Sequence, residues 1–266
     1  MWEAHREQVV ECLQTLGIAQ GDGLLVHSAV QFLGRPVGGL QMYLQALQEV
    51  IGPVGTIAVP AFNFGFARGD RYDPATTPSM GMGAFSEFLR QVPGTCRTPH
   101  PMQSLAVLGR YAEDLASRDT LSAFDPGSSF ERMLELGFKL LLLGADGRAV
   151  SMFHYCEQRA QVPYRYWKDF SGEVNTPTGW QRRTYRMFVR DLDLNPQLTL
   201  DPVVESLQRS SEWLSVDLNY GQIITCQLND FVEAADQILA EDPWAVVTNV
   251  RLRPDGTPEI ISKPGT

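Results

Sequence analysis

Three side chains of complementary chemistry follow the most apolar run of the chain, KLLLLGADG. They are Ser151, His154 and Glu157. On a helix, residues three apart share a face, with about 5–6 Å between their Cβ atoms. A carboxylate in that position can accept a hydrogen bond from one imidazole nitrogen and leave the other free to take a proton. An exposed helix with a solvated His and Glu has the same spacing and is the commoner case, so the spacing alone does not decide.

The elements before this segment follow a strand–helix–strand order. LLVHS and TIAVP are apolar runs with little alternation, and the helical pattern between them ends at Gly52 and Pro53. Such strands are typical of a parallel sheet covered on both faces. Because ligand sites in these sheets lie at the carboxyl ends of strands, His27 and Ser28, residues 60–64 and residues 146–154 become candidates.

The predicted fold class is α/β, with a mostly parallel central sheet covered by helices and an irregular C-terminal α+β lobe. From about residue 163 the chain is rich in aromatic and turn residues, a pattern that predicts β-hairpins. We expect one domain over residues 1–266, with a core and cofactor half at 1–170 and an acceptor lobe at 171–266.

Composition excludes several classes of function. The net charge is −9 and no basic patch is present, which argues against a nucleic-acid partner. No apolar stretch approaches the roughly 18–20 residues of a membrane span, so a cytoplasmic protein is expected. The four cysteines are scattered without a CxxC pair, and HExxH is absent, so no metal site is expected. GxSxG is also absent, which disfavours a serine hydrolase. GRPVGG, before a helix, matches neither GxGxxG nor a Walker A sequence.

The combination of segments resembles the aminoglycoside 3-N-acetyltransferase family of coenzyme A-dependent antibiotic acetyltransferases. Each segment is modest singly, but seven occur in the family's order and together cover about residues 1–170. They are VHSAV, GG before a helix, GPVGTIAVPAF, YDPATTPSMGMGAFSEFLR, RTPHPMQSLAVLG, FDPGSSFERMLELGFKLLLLGAD and FHYCEQRAQVPYR.

The resemblance implies catalytic roles for three residues. His154 matches the general base that acts on the acceptor amine, and Glu157 matches its acidic partner. Ser151 stands where the family usually has a threonine, whose hydroxyl helps to hold the acetyl carbonyl. Asp146 lies eight residues before His154, whereas many relatives have an aspartate six residues before the histidine. Asp146 is a candidate substrate-binding residue.

The resemblance also implies binding residues for acetyl-CoA, the co-substrate, with no metal. His27 and Ser28 correspond to the segment that meets the pantetheine arm. Regions around the arm and the phosphates are matched by Arg35, Gly38, Gly39, Thr77, Met80 and Gly81. Phe62 and Asn63, at the end of the TIAVP strand, are candidate substrate-binding residues.

The function that follows is direct acetyl transfer from acetyl-CoA to an amino group of an aminoglycoside or a related amino sugar, with His154 as the base. The acceptor is a small-molecule amine, and a homodimer is compatible with the sequence. The segment VPYRYWKDFSGEV resembles relatives near sugar and polysaccharide biosynthesis genes, so an N-acyltransferase of biosynthesis rather than resistance is an alternative. A hydrolase that uses His154 on water and a non-catalytic coenzyme A-binding protein are the remaining ones.

Overall fold

The protein is described from a computed structural model, which covers residues 2–261. Its strands are β1 (Glu3–Ala4), β2 (Gly23–Ser28), β3 (Arg35–Pro36), β4 (Thr56–Pro60), β5 (Cys96–Arg97), β6 (Leu105–Gly109), β7 (Lys139–Leu143), β8 (Arg165–Thr176), β9 (Gly179–Arg190), β10 (Leu214–Leu218), β11 (Gly221–Gln227), β12 (Val250–Leu252) and β13 (Pro258–Ile260). Its helices are α1 (Arg6–Thr15), α2 (Leu40–Ile51), α3 (Ala84–Arg90), α4 (Ala112–Ala116), α5 (Ser129–Glu135), α6 (Phe153–Ala160), α7 (Asp201–Arg209) and α8 (Leu228–Glu241).

Seven strands form the central sheet, in the order β10-β11-β7-β2-β4-β6-β5. The three at its centre, β7, β2 and β4, are parallel, and β11 and β6 run antiparallel to their neighbours. Since β10 and β5 reverse direction again, five of the seven strands point the same way. The predicted α/β class with a mostly parallel central sheet is confirmed. The strands β10 and β11, which come after residue 170, extend this sheet.

Both faces of the sheet are buried, which explains why its central strands are apolar without alternation. Along β7, Leu140 and Leu142 pack into one apolar cluster, and Leu141 and Leu143 pack into a second cluster on the opposite face. The first cluster includes Phe153 of α6 together with residues of α7 and α8. The helix that carries His154 is therefore fixed to the sheet by its apolar side chains.

The long hairpin of β8 and β9 lies outside the central sheet and pairs over twelve residues in each strand. It has an apolar cluster of its own, made of Phe66, Tyr72, Met102, Val174, Tyr185 and Met187. The hairpin expected after residue 163 is therefore present. Among residues 2–261, no helix has the length and apolar character needed to cross a membrane.

Candidate active site

His154 and Glu157 lie on one face of α6, as their spacing predicts. The Oε2 atom of Glu157 lies 2.7 Å from Nδ1 of His154. The Glu157 side chain is fully buried, whereas 35% of the His154 side chain is exposed. The helix therefore presents the imidazole at a surface and keeps the carboxylate behind it.

Arg165, the first residue of β8, holds the other side of the same carboxylate. Its Nε lies 2.8 Å from Oε1 of Glu157. Burial acts to raise the pKa of Glu157, but the hydrogen bond from His154 and the charges of His154 and Arg165 outweigh it, so this pKa lies below its usual value. Nη2 of Arg165 also lies 3.3 Å from Nδ1 of His154, and a guanidinium can only donate. An ionised Glu157 can only accept, and because its contact with Nδ1 is much the shorter, we assign the proton to Nδ1, which donates to Glu157. The Nε2 lone pair of His154 is then free for a proton.

A second imidazole, that of His27, holds Ser151, which lies just before α6. His27 is the penultimate residue of β2, which is paired with β7, and the chain continues from β7 to Ser151. The backbone N–H of Ser151 donates to Nε2 of His27 at 3.0 Å, and the Ser151 hydroxyl lies 2.9 Å from the same nitrogen. Because a backbone N–H can only donate, Nε2 is an acceptor and the His27 proton is on Nδ1.

His27 keeps this neutral form over a wide range of pH. Burial, with a smaller contribution from the charge of His154, lowers the pKa of His27 from its usual value to about 3. It therefore serves as a fixed acceptor for Ser151 at neutral pH.

These residues open onto a cleft of about 980 Å³ between the sheet and the hairpin. Six of the residues singled out from the sequence lie on its wall: His27, Ser28, Phe62, Gly81, Ser151 and His154. Glu157 lies behind that wall, in contact with His154. The structure thus brings together side chains that are up to 127 positions apart in the chain (His27 to His154).

Two polar atoms at this wall lack a hydrogen-bond partner within the described residues. They are Nδ1 of His27 and Oγ of Ser28, and both are buried. A buried polar atom without a partner is costly, so these two atoms are suited to the polar groups of a ligand. Backbone packing is also tight here, because a Cβ on Gly83 would lie 2.7 Å from the carbonyl oxygen of Ser28.

Three residues predicted to bind the cofactor lie away from the cleft wall at the start of α2. Arg35 forms an ion pair with Glu3, and β3, which contains it, pairs with β1. Gly38 and Gly39 precede α2, and both have positive φ. Their predicted contact with the phosphates of coenzyme A stays a prediction.

The remaining predicted residues shape the loop after β4 and the turn after β7. Thr77 accepts from the backbone N–H of Asp73, and Asn63 ties Pro78 to Gly65 by hydrogen bonds. The backbone N–H of Met80 donates to the carbonyl of Phe62 at 2.7 Å. These contacts position the wall next to Phe62 without placing Thr77, Asn63 or Met80 on it.

Asp146 accepts from the backbone N–H of Arg148 and forms an ion pair with its guanidinium, 2.6 Å away. Arg148 lines the cleft, whereas Asp146 does not. The structure shows that Asp146 positions Arg148, and its predicted contact with the substrate stays a prediction.

Sequence reasoning missed the hairpin wall of the cleft. Tyr166, Lys168 and Phe170 of β8 point into the cleft, together with Met187 and Val189 of β9. The period-two alternation of β8 was the signal that could have separated this face from the opposite one. Within residues 2–261, no group of three or more His, Cys, Asp or Glu side chains could hold a metal ion.

Comparison with known proteins gives a consistent result. The model of the family described as aminoglycoside 3-N-acetyltransferase matches residues 25–240. Aminoglycoside N(3)-acetyltransferase III of Salmonella sp is 34% identical over 186 residues, which are 61% of this chain and 63% of that relative. The alignment therefore spans less than two thirds of that relative. Aminoglycoside N(3)-acetyltransferase VIII of Streptomyces fradiae is 30% identical over 207 residues, or 71% of each chain.

Solved structures extend the likeness over most of the fold. The structure of AAC-IIIb in its binary complex with CoASH superposes with a TM-score of 0.79 at 26% identity, over 90% of this chain and 97% of that chain. For aminoglycoside acetyltransferase AAC(3)-Xa the TM-score is 0.80 at 25% identity, over 90% and 93% of the two chains. From its sequence and its fold, this chain belongs to the aminoglycoside 3-N-acetyltransferase family.

Proposed function

We propose that this protein transfers an acetyl group from acetyl-CoA to an amino group of an amino sugar, with His154 as the general base. The observation that carries the proposal is that His154 is hydrogen-bonded through Nδ1 and keeps Nε2 free. Its Nδ1 donates to the buried Glu157 carboxylate, and the ring lies on the wall of the cleft. Aminoglycosides, for which the curated relatives are named, are the first acceptors to test.

The cleft fits an acyl donor and an acceptor together. Its volume of about 980 Å³ is at the upper end of the roughly 300–1,000 Å³ of ligand pockets. The unpartnered Nδ1–H of His27 and the Ser28 hydroxyl can meet the amide groups of a pantetheine arm, and Phe62 can contact its apolar part. When bound, acetyl-CoA supplies an acetyl carbon activated by its thioester. A solved relative, AAC-IIIb, is a complex with CoASH.

His154 would make the acceptor nitrogen nucleophilic. An alkylammonium has no lone pair, so its proton must be removed before the nitrogen can attack. Nε2 of His154 takes that proton, and Glu157 stabilises the imidazolium that results. The new bond joins the acceptor nitrogen to the acetyl carbon, the C–S bond breaks, and the sulfur leaves as the free thiol after protonation.

Ser151 would stabilise the negative charge that develops on the acetyl oxygen. Its hydroxyl lies on the cleft wall, 2.9 Å from Nε2 of His27. Since the backbone N–H of Ser151 also donates to that nitrogen, the hydroxyl hydrogen can turn to an oxygen in the cleft while Nε2 keeps a donor. A donor fixed beside the reacting group lowers the barrier when it meets the charge that develops on the oxygen.

The test is thiol release from acetyl-CoA with a panel of amino sugars and aminoglycosides. We expect release with at least one amine, and a loss of roughly 10²- to 10⁴-fold in His154→Ala, the range for a general base. A matched control is His5→Ala, because His5 is exposed at the start of α1 and does not line the cleft. Full activity in His154→Ala would refute the role of His154. Absence of thiol release by the wild type with every amine of the panel would refute acetyl transfer to these acceptors.

A further inference from the structure

The charged side chains on the cleft wall are all basic. Arg148, Arg165, Lys168 and Arg190 line the cleft together with His154. From Trp2 to Ile261, no Asp or Glu contributes to this wall. The whole chain carries a net charge of −9, so the basic cleft does not follow from the overall composition.

Three of the four Arg and Lys side chains lie on the hairpin side of the cleft, and the exception is Arg148, in the turn after β7, which pairs with Asp146. The wall contributed by the strand ends of the central sheet and the loop after β4 carries uncharged residues such as Ser28, Phe62 and Gly81. Lys168 and Arg190 belong to the hairpin, and Arg165 is at its first position. Under the proposed function, the acyl donor lies along the uncharged wall and the acceptor meets the hairpin.

Two of these cations have no acidic counterpart in the described part of the chain. Arg165 pairs with Glu157, and Arg148 pairs with Asp146. For Lys168 and Arg190, no carboxylate oxygen between residues 2 and 261 lies within the 4.0 Å of an ion pair. The nearest aromatic contact of Lys168 is the Phe170 ring, whose centroid is 5.4 Å from Nζ.

The register of the hairpin brings two of these cations together. Arg165 and Arg190 are directly opposite each other in the antiparallel pair. Directly opposed residues have Cβ atoms about 4.5–5.5 Å apart, and like charges in such positions repel. Glu157 offsets one of the two guanidinium charges. An anion in the cleft would offset the other.

We propose that the acceptor is an amine that also carries an anionic group, a phosphate or a carboxylate, and that this group binds Arg190 and Lys168. The inference rests on the proposed function, because it places the amine at Nε2 of His154 and the anion toward the hairpin. A guanidinium binds either anion with two parallel hydrogen bonds, and the ammonium adds a point charge. A polycationic aminoglycoside would place further ammonium groups beside Arg165, Lys168 and Arg190 with no carboxylate on the wall to receive them.

The experiment compares amines that differ in charge on a common scaffold. Glucosamine, glucosamine 6-phosphate and its 6-carboxylate analogue glucosaminuronic acid are assayed beside tobramycin, with thiol release as the readout. We expect kcat/KM for at least one anionic sugar to exceed that for glucosamine by roughly tenfold or more, since a charge-assisted hydrogen bond contributes that much. Tobramycin is expected to be the poorest acceptor. Comparison of the two anionic sugars decides between phosphate and carboxylate.

Charge-removing variants locate the effect. Lys168→Gln and Arg190→Gln should each reduce the ratio of kcat/KM for the anionic sugar to that for glucosamine by roughly tenfold. Arg182→Gln is the matched control, because Arg182 is on the same hairpin but outside the cleft wall, and it should leave that ratio unchanged. Added salt should raise the KM for the anionic sugar and not that for glucosamine.

Three outcomes would overturn the inference. Preference of the wild type for tobramycin would leave the acetyltransferase function intact and refute the anionic acceptor. Lys168→Gln and Arg190→Gln could raise the KM for acetyl-CoA but not the KM for S-acetyl-N-acetylcysteamine, a donor without phosphates. If the ratio of kcat/KM for the anionic sugar to that for glucosamine then stays constant, these cations bind the donor. Thiol release with none of the four amines would refute the anionic acceptor along with the proposed function on these scaffolds.

Discussion

Glu157 is fully buried behind His154, with Oε2 of the carboxylate 2.7 Å from Nδ1 of the imidazole. The carboxylate cannot contact a substrate directly, because the imidazole ring lies between it and the cleft. Arg165 neutralises its other oxygen. We therefore expect Glu157 to act as a positioning residue that fixes the tautomer of His154, and we expect its loss to have separable effects on folding and on activity.

Glu157→Gln keeps the size of the side chain and removes its charge. Because Arg165 is then left without its buried partner, the free energy of unfolding should fall by about 3–5 kcal/mol, as measured by urea denaturation. The kcat should fall and its pH profile should shift, since the amide no longer stabilises a protonated His154. Addition of Arg165→Met to this variant should recover most of the stability and none of the activity. Parallel recovery of both would show that Glu157 acts through folding alone.

Ser151→Ala removes the hydroxyl and leaves the backbone N–H that donates to His27. If the hydroxyl stabilises the acetyl oxygen, kcat should fall by roughly 10²- to 10³-fold, the effect of one such donor, with little change in KM for acetyl-CoA. Steady-state kinetics with both substrates varied gives this separation. Ser151→Thr keeps the hydroxyl and serves as control. Equal activity of the alanine and threonine variants would exclude the hydroxyl from the reaction.

Gly83→Ala tests the packing that places Ser28 on the cleft wall. Gly83 has a φ of +87°, and its added Cβ would lie 2.7 Å from the Ser28 carbonyl oxygen. Gly69→Ala is the matched control, because Gly69 has a φ of +96° with no atom within 4 Å of the added Cβ and does not line the cleft. Both variants should lose about 1 kcal/mol or more to backbone strain. Only Gly83→Ala should also raise the KM for acetyl-CoA, and an equal rise in both would contradict the placement of Ser28.

His100 makes the stability of the fold depend on pH. Burial lowers its pKa to about 4, against hydrogen bonds that act in the opposite direction. Between pH 6.5 and about 4 the unfolded chain binds a proton at this histidine and the folded chain does not, so stability falls as the pH falls. At pH 5 the loss is about 2 kcal/mol. His100→Gln has no titrating group at this position, so its free energy of unfolding lacks this pH dependence. The difference in free energy of unfolding between wild type and variant should therefore decrease by about that amount from pH 7 to pH 5. A constant gap in urea titrations would contradict the prediction.

The local part of the site was accessible from the sequence. The spacing of His154 and Glu157 predicts a shared helical face, and α6 has that geometry. The apolar run before it predicts a buried strand, which is β7. Local periodicity suffices for such features because both residues belong to one element.

The non-local part was not accessible. The contact between His27 and Ser151 spans 124 positions, and it exists because β2 and β7 are neighbours in the sheet, an order that no local pattern encodes. The ion pair of Arg165 with Glu157 likewise depends on where the hairpin begins relative to α6. For Arg35 and Gly38, carried over by resemblance alone, the structure gives a place outside the cleft wall.

The separate apolar cluster beneath the hairpin, with Phe66, Tyr72 and Tyr185 among its members, has an evolutionary consequence. Its side chains are not shared with the two clusters on the sheet, and on β9 Phe188 packs against the first of those clusters. Replacements at the other positions of β8 and β9 can therefore accumulate while the packing of the sheet is kept. One lineage can in this way exchange the chemical group that it acetylates and retain the same donor. Grafting the hairpin of one relative onto the sheet of another is the laboratory form of that exchange.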